Sequence, residues 1–269
     1  MAFDPSLLLF VPGDRPDRFG KAIASGASGA ILDLEDAVAL DRKAQARDDV
    51  RAFLDAHADL GAVLVRINPP HSPDGRADLA MLAGARRVAA VLVPKASDVG
   101  DLARVSDAVG DLPQIPLIET ARGVVHAETI AAAPHVIALA FGPYDLASEL
   151  GGVPDPDVLL PHRARILVAA RAAGRWAIDG PSREYGDPSI PARDAAQARR
   201  LGYDGKLLIH PAQIAPVRDA FAPSSEEIAY ARRIVEAAAL TSPAVVDGTM
   251  IDTPIQVAAE RLLRRAGVV

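Results

Sequence analysis

Eight short apolar runs, separated by longer amphipathic stretches, organise most of the 269-residue sequence. The runs are Leu7–Val11, Ala30–Leu34, Val63–Ile67, Ala89–Val93, Ile115–Ile118, Val136–Phe141, Trp176–Ile178 and Lys206–Ile209. Strands that alternate with helices build βαβ units, which impose a parallel sheet. Eight such units are typical of a closed α/β barrel, so we predict the (β/α)8 or TIM-barrel fold. An open, doubly wound sheet is the alternative, but no Gly-x-Gly-x-x-Gly motif follows the first run.

The segments between the runs have helical patterning, and several start at Pro, Asp or Ser and stop at Gly, as helix caps require. They are Asp17–Ser25, Asp41–Ala58, Asp78–Ala83, Asp98–Val109, Arg122–Ala132, Asp157–Ala173 and Ala192–Leu201. After the eighth run we predict a helix at Ser225–Leu240, a short segment at Val245–Asp252 and a final helix at Thr253–Ala266. The barrel is therefore expected over residues 1–222. A C-terminal helical extension over residues 223–269 would cap its own barrel or reach a neighbouring subunit.

The composition narrows the function. Half of the residues are hydrophobic and only 4% are aromatic, which indicates an aliphatic core. The net charge of −6 gives no support for a nucleic-acid partner. The chain has no cysteine, which excludes disulfides, thiolate metal ligands and a cysteine nucleophile.

The N-terminus lacks the basic segment of a signal peptide, and its apolar run Ser6–Val11 is about the length of a strand. No apolar stretch approaches the roughly 20 residues needed to span a bilayer. We therefore expect a cytoplasmic protein without a membrane partner.

Polar residues close most of the predicted strands, at the end of the barrel where TIM-barrel enzymes carry their active sites. They include Asp14-Arg15, Asp33 with Glu35 and Asp36, Arg66 with Asn68, Lys95, Glu119, Asp145, Asp179 and His210. Carboxylates held this close repel one another unless a cation lies between them. Because cysteine is absent and histidines are few, we expect Mg²⁺ bound through oxygen, and Mn²⁺ suits the same ligands. Glu119 and Asp145 follow adjacent strands and suit a two-carboxylate site, whereas acids that simply cap helices are the alternative.

Three other features have two interpretations each. Arg66 closes an apolar strand and requires an anion, which is either a carboxylate of the protein or a substrate oxyanion. His210 is either a packed hydrogen-bonding residue or a catalyst. The cations Arg15, Arg18 and Lys21 surround a helix start and, with Arg42 and Lys43, either hold phosphates or form a solvated surface.

Seven blocks of sequence, in order, resemble the citrate lyase β-subunit-like branch of the HpcH/HpaI aldolase family over nearly the whole chain. The blocks are Leu9–Pro16, Ile31–Val38, Val65–Pro69, Leu117–Gly123, Ala140–Gly142 with Asp145, Ala177–Gly180 and Gly205–Ile214. The resemblance implies a (β/α)8 barrel that is usually trimeric or hexameric. It also implies activity on coenzyme A (CoA) or acyl-carrier thioesters of hydroxy acids.

The resemblance further assigns roles to residues of the predicted site. Glu119 and Asp145 are similar to the Mg²⁺ ligands of the family, so Glu119 is expected at the substrate as well. Glu35 and Asp36 resemble groups that hold water molecules around the metal. Arg66 resembles the arginine that contacts the reacting oxygens.

Two expectations lie outside these strand ends. Asp252 resembles a tail aspartate that some members insert into the next subunit's active site as acid or base. The Arg15, Arg18 and Lys21 cluster is expected to bind CoA phosphates, although the family match is less specific there. Pro143 and Tyr144 depart from the family pattern beside Asp145, so the keto-acid partner does not follow from the resemblance.

Together these features predict a Mg²⁺-dependent carbon–carbon lyase. Its substrate would be a short 3-hydroxyacyl-CoA, such as malyl-, citramalyl- or hydroxymethylglutaryl-CoA, split into an acyl-CoA and a keto acid. Three alternatives stay open: a malyl-CoA thioesterase or malate-synthase-like enzyme, the β subunit of a citryl-acyl-carrier-protein lyase, and a non-catalytic CoA-binding protein. The acyl group, its stereochemistry and the direction of reaction do not follow from the sequence.

Overall fold

The protein, described by a computed structural model over residues 3–56, 62–85, 87–241 and 243–268, contains a closed barrel of eight parallel strands. The strands pair in chain order, and β1 pairs with β8 to close the barrel. Their bounds are β1 Leu7–Pro12, β2 Gly29–Asp33, β3 Ala62–Arg66, β4 Ala90–Val93, β5 Gln114–Ile118, β6 Ala138–Phe141, β7 Trp176–Asp179 and β8 Gly205–Leu208. The predicted α/β TIM-barrel fold is confirmed, and each predicted strand lies within two residues of an observed one.

Helices join successive strands. Their bounds are α1 Pro16–Ile23, α2 Lys43–Ala56, α3 Pro73–Leu82, α4 Val99–Val109, α5 Ala121–Ala131, α6 Pro143–Leu150, α7 Leu160–Ala172, α8 Ser189–Leu201 and α9 Ile214–Phe221. Short 3₁₀ turns precede α2 and α9 at Leu40–Arg42 and Pro211–Gln213. No helix in the described part of the chain is long and apolar enough to cross a membrane.

The barrel interior is aliphatic, as the low aromatic content predicts. Each strand contributes a branched or small side chain, and the buried cluster includes Leu8, Ile31, Leu64, Leu92, Ile115, Ala138, Ile178 and Leu207. Because this packed layer fills the barrel, the polar residues at the carboxyl ends of the strands lie above it, at the mouth.

The helix starts follow local capping chemistry. Ser72, Asp98 and Thr120 are N-cap residues whose side-chain oxygens accept hydrogen bonds from backbone amides in the first turns of α3, α4 and α5. The predicted start of the third helix at Asp78 was wrong by five residues, because Pro73 occupies the first helical position behind the Ser72 cap.

The chain divides into two compact units, one ending at Arg218 and the other starting at Asp219, ahead of the predicted boundary after residue 222. The second unit contains α10 Ser225–Leu240, a hairpin of β9 Ala244–Val246 and β10 Thr249–Ile251, and α11 Thr253–Arg265. Its buried side chains include Ile234, Val246, Ile251 and Leu263, so this unit has a core of its own.

Candidate active site

Charged side chains converge at the carboxyl ends of β2 to β6. The cluster comprises the carboxylates Asp33, Glu35, Asp36, Glu119 and Asp145 and the cations Arg66 and Lys95. Within this cluster, five acids therefore face two cations. This excess of negative charge makes the cluster suited to bind a further cation.

Arg66 is fixed by ion pairs on two sides. Its Nε and Nη2 donate to the two carboxylate oxygens of Asp33 at 2.7 and 2.5 Å, and its Nη1 lies 2.9 Å from Glu35 Oε2. The Phe10 ring lies beneath the guanidinium, with its centroid 4.6 Å from Cζ. Burial would lower the pKa of Arg66, but Asp33 and Glu35 raise it, so the side chain stays charged. Arg66 thus has the protein carboxylate partners that one of the two interpretations requires.

Glu35 lies between Arg66 and a second cation, Lys95. Lys95 Nζ donates to Glu35 Oε1 at 2.5 Å. Burial raises the pKa of Glu35, although both cations oppose that shift. Glu35 Oε2 is buried and lies 2.9 Å from Arg66 Nη1, so its contact is the ion pair with that guanidinium.

Lys95 contacts both sides of the cluster, a role that the sequence interpretation did not assign to it. Its ammonium lies 3.2 Å from Asp145 Oδ2 and 3.7 Å from Asp36 Oδ2, while its backbone amide donates to Glu119 Oε1 at 2.8 Å. The residue adopts a φ of 51°, a left-handed conformation that is unusual for lysine. The Pro-Lys pair after β4 was the available signal, because it put a cation among strand-end acids.

Glu119 is the most perturbed carboxylate of the cluster. Burial, together with repulsion from Glu35 and Asp145, raises its pKa to about 8. A Cβ atom at Gly142 would lie 2.5 Å from Glu119 Oε2, so only glycine leaves room for this carboxylate. A cation that binds beside this carboxyl group favours loss of its proton, so that Glu119 becomes a carboxylate ligand.

Asp145 reaches the cluster from the first turn of α6 and not from a strand. Sequence reasoning grouped it with the end of the sixth strand and did not predict α6. Pro143 at the first helical position starts the helix directly behind β6, which turns Asp145 toward the mouth. Its carboxylate is 41% exposed, so it lies open to a ligand.

A cavity of about 180 Å³, which we term the site cavity, opens at this cluster. Its walls include Phe10, Asp36, Arg66, Glu119, Tyr144, Asp145 and Arg183. Among the described residues, no three His, Asp or Glu side chains are grouped so as to hold a metal by themselves. The donor set fits Mg²⁺ nevertheless, because this ion commonly takes one or two carboxylates and completes its octahedron with water and substrate oxygens.

The basic residues predicted to bind phosphates are exposed or make contacts within the protein. Arg15 forms an ion pair with Asp17 at 3.0 Å, and Arg18 and Lys21 are exposed on α1. Lys43 is buried and donates to two backbone carbonyl oxygens and to Asn68, so its suggested part in phosphate binding was wrong.

The last two candidate residues are helix caps. His210 Nδ1 accepts from the backbone amide of Ala212 at 3.1 Å, and its ring stacks on Tyr185, which supports the structural interpretation. Asp252 lies in the second unit, where its carboxylate accepts from the amide of Ile255 at 3.2 Å and caps α11. Its role in catalysis stays a prediction.

Comparison with known proteins gives the same family throughout. The HpcH/HpaI aldolase/citrate lyase family model matches residues 6–211. A citrate lyase subunit beta-like protein of Mycobacterium tuberculosis is 40% identical over 96% of this chain and 94% of its own length. A (3S)-malyl-CoA thioesterase of Cereibacter sphaeroides is 37% identical over 96% and 93%.

A solved structure is similarly close. Protein CitE of Mycobacterium tuberculosis in complex with magnesium, acetoacetate and coenzyme A superposes with a TM-score of 0.88 and 38% identity, covering 99% of both chains.

Proposed function

The chain belongs to the HpcH/HpaI aldolase/citrate lyase family, and we propose that it is a Mg²⁺-dependent lyase that cleaves or forms the carbon–carbon bond of a short 3-hydroxyacyl-CoA. The observation that carries the proposal is the pair Glu119 and Asp145 at one cavity beside the fixed guanidinium of Arg66. The magnesium, acetoacetate and coenzyme A bound by the similar CitE protein support the same chemistry.

Glu119 and Asp145 would hold the metal in this proposal. When bound, Mg²⁺ supplies Lewis-acid polarisation and a template for the hydroxyl and carboxylate oxygens of the substrate. Glu35 and Asp36 would accept hydrogen bonds from water molecules beside the ion, a role that the exposed carboxylate of Asp36 supports. Lys95 keeps Glu35 and Asp145 at the cavity through its two contacts.

Arg66 would bind the reacting oxygens and stabilise the negative charge that develops on them. Its orientation needs no rearrangement, because Asp33 holds two of its nitrogens before substrate arrives. In the cleavage direction the 3-hydroxyl proton passes to a carboxylate of the site, and the hydroxyl carbon becomes the carbonyl of the keto acid. The electron pair of the C2–C3 bond then passes to the acyl-CoA, which becomes an enolate.

Asp252 would complete the reaction as the acid that returns a proton to the enolate carbon, or as the base in condensation. We propose that it does so in the site of a neighbouring subunit of a homo-oligomer, a trimer or hexamer. Support comes from its family motif and from its place at an exposed helix start. Arg15 and Arg18 at the start of α1, together with Lys21 in its last turn, would bind the CoA phosphates, helped by the partial positive charge of the helix N-terminus.

A thioesterase is the second candidate function, and the similarity to the malyl-CoA thioesterase favours it specifically. Both candidates require the same thioester, but their products differ. A lyase releases a keto acid and an acyl-CoA, whereas a thioesterase releases free CoA and the intact hydroxy acid.

The deciding experiment incubates the protein with malyl-, methylmalyl-, citramalyl- and hydroxymethylglutaryl-CoA, with Mg²⁺ or with EDTA. We expect metal-dependent release of a keto acid and an acyl-CoA from one of them, and no release by Asp145→Ala. Free CoA without a keto acid would replace the lyase by the thioesterase. An Asp145→Ala variant with full activity would contradict the proposed metal site.

A further inference from the structure

A second cavity, of about 410 Å³, adjoins the site cavity, and we term it the rear cavity. It is more than twice as large as the site cavity. The wall between the two consists of residues that line both of them, Phe141, Pro143, Tyr144, Pro181 and Arg183. This wall therefore decides whether a ligand in the site cavity can extend into the larger space.

Tyr144 joins the two sides of this wall. It lies in the first turn of α6, and its hydroxyl donates to the carbonyl oxygen of Pro181, in the β7–α8 loop, at 3.1 Å. The guanidinium of Arg183, from the same loop, lies 4.1 Å from the centroid of the Tyr144 ring. The ring is thus held at its hydroxyl and on one face, which keeps it between the two cavities.

Among the described residues, the other walls of the site cavity are the buried aliphatic layer and the charged cluster. Leu117 and Leu207 belong to that layer, and Phe10 packs against it. In the charged cluster, Arg66 is held by its ion pairs, and Glu119 accepts from the backbone amide of Lys95. The room within the barrel unit for a longer ligand therefore lies behind Tyr144.

The charged groups at the rear cavity are paired with one another. Arg163 and Lys206 are buried and both donate to Asp179, at 3.1 and 2.8 Å. Arg193 lies 3.9 Å from Asp194, with which it forms an ion pair. The lining also includes apolar side chains, which suit an alkyl group because its burial is favourable. They are Val153, Pro154, Pro156, Leu159 and Ile190.

The site cavity itself is small. Its volume of about 180 Å³ is below the roughly 300–1,000 Å³ of pockets that enclose drug-sized ligands. Tyr144 immediately precedes the proposed metal ligand Asp145, and both residues line this cavity. A keto acid held at Asp145 therefore has the Tyr144 ring as a neighbour.

We propose that Tyr144 determines substrate specificity by limiting the keto-acid half of the substrate to a short side chain. This inference rests on the proposed function and narrows its substrate class. The substrate is a 3-hydroxyacyl thioester that carries a hydrogen atom or a methyl group, and no longer alkyl chain, on the carbon that becomes the keto carbon.

The test measures the affinity of straight-chain 2-oxo acids by calorimetry in the presence of Mg²⁺. Pyruvate is compared with its longer homologues 2-oxobutyrate, 2-oxovalerate and 2-oxohexanoate. For the wild type we expect the affinity to fall along the series, because the growing chain meets the Tyr144 ring. For Tyr144→Ala the affinity relative to pyruvate should instead rise by up to about fourfold per methylene group, as burial of that group in the rear cavity provides.

Four further variants separate the size of the wall from other effects of the substitution. Tyr144→Phe keeps the ring and should keep the wild-type order of affinities, whereas Tyr144→Leu shortens the wall with less loss of packing and should favour longer acids. Ile190→Trp fills part of the rear cavity, so it should cancel the gain of Tyr144→Ala but leave the wild-type order unchanged. Tyr230→Ala is the matched control, because Tyr230 also contacts an arginine, Arg233, but lines neither cavity.

Two results would overturn the inference. One is the same order of affinities in the wild type, Tyr144→Ala and Tyr144→Leu. The other is a gain for longer acids that persists when Ile190→Trp is added to Tyr144→Ala.

Failure of the proposed function has a different signature. A wild type that cleaves a thioester but binds the longer acids as well as pyruvate contradicts only the role of Tyr144. Absence of Mg²⁺-dependent binding for every acid, in the wild type and the variants, contradicts the proposed function and, with it, the substrate class inferred here.

Discussion

Gly142 determines whether Glu119 can occupy the charged cluster at the barrel mouth, because the two residues are in direct contact across β5 and β6. A methyl group at Gly142 would lie 2.5 Å from both Cβ and Oε2 of Glu119. We expect Gly142→Ala to displace the carboxylate and to weaken Mg²⁺ binding by about tenfold or more, since the ion loses one of two protein ligands. Calorimetric titration with Mg²⁺ measures the effect.

Gly152→Ala is the matched control for this substitution. A Cβ atom at Gly152 would meet no atom within 4 Å, so the variant should bind Mg²⁺ like the wild type. If Gly142→Ala also retained wild-type affinity, Glu119 would not be a ligand of the metal.

Protons should compete with the metal at Glu119. Its pKa is raised to about 8, from an ordinary value of 4.5, chiefly by burial and then by Glu35 and Asp145. The carboxyl is therefore protonated below that pH, and a metal ion has to displace the proton. We expect the Mg²⁺ affinity to rise about tenfold per pH unit from pH 6 to 8 and to level off above 8.

The same shift has a consequence for stability without metal. Because the folded state holds this proton more tightly than the unfolded chain, the stabilisation is complete below the unfolded pKa and is lost as pH rises through the folded pKa.

The Glu119→Gln variant is the control for the pH dependence of Mg²⁺ binding. It lacks the titrating group, so the affinity of the variant for Mg²⁺ should be weak and independent of pH. A wild-type affinity that does not change over this pH range would contradict the assignment.

At the level of single residues, the sequence was informative where chemistry alone selects the side chain. Glu119, Asp145 and Arg66 stood out because they are charged residues at or shortly after the ends of apolar runs. The role of Lys95 could not be predicted in this way. It depends on a left-handed backbone conformation, in which the backbone amide donates to Glu119 and the ammonium lies beside Asp145.

Among the secondary-structure elements, α6 shows where pattern analysis failed. The segment Pro143–Leu150 is a short helix directly after β6. Its two turns are too few to show a clear helical periodicity beside the apolar residues of the strand. The longer helices were predictable from their periodic buried positions, and α3, α4 and α5 also have side-chain caps at their starts. The charged cluster depends on α6 for the position of Asp145, so this helix was the least predictable element of the candidate site.

The junction of β2, α2 and β3 is stabilised by a buried lysine. Lys43 Nζ donates to the carbonyl oxygens of Leu34 and Glu35 and to Asn68 Oδ1, at 2.6 to 3.0 Å. Lys43→Met keeps the aliphatic stem but leaves three buried acceptors without this donor. We expect a loss of about 2–4 kcal/mol in the free energy of unfolding, measured with denaturant.

Arg42→Met tests whether that loss is local. Arg42 is the exposed neighbour of Lys43 at the same helix start, and its replacement should change the stability by about 0.5 kcal/mol or less. Equal effects of the two substitutions would show that the three hydrogen bonds of Lys43 contribute little.

At the scale of the whole molecule, the barrel could be predicted because an apolar run alternating with a helical segment occurs eight times in the sequence. Any one apolar run fits a strand or a buried helix, but eight of them alternating with helices leave few architectures. The second unit offered no such repetition. Its two helices were predictable from their periodicity, whereas the hairpin formed by Ala244–Val246 and Thr249–Ile251 was anticipated only as a short segment.

Asp252 allows the proposed sharing of active sites between subunits to be tested. Asp252→Asn should remove the acid but preserve the cap of α11, because asparagine is as good an N-cap residue as aspartate. Asp145→Ala should remove a metal ligand but leave Asp252 intact. Each variant alone is expected to be inactive and folded, as circular dichroism and gel filtration would show.

Co-expression of the two variants in equal amounts separates the alternatives. If Asp252 acts on a neighbouring subunit, some sites combine an intact barrel from the Asp252→Asn chain with an intact tail from the Asp145→Ala chain. In a ring that assembles at random, about a quarter of the sites have that combination, so about a quarter of wild-type activity should return. If Asp252 acts within its own chain, every site keeps one defect, and isolated mixed oligomers stay inactive.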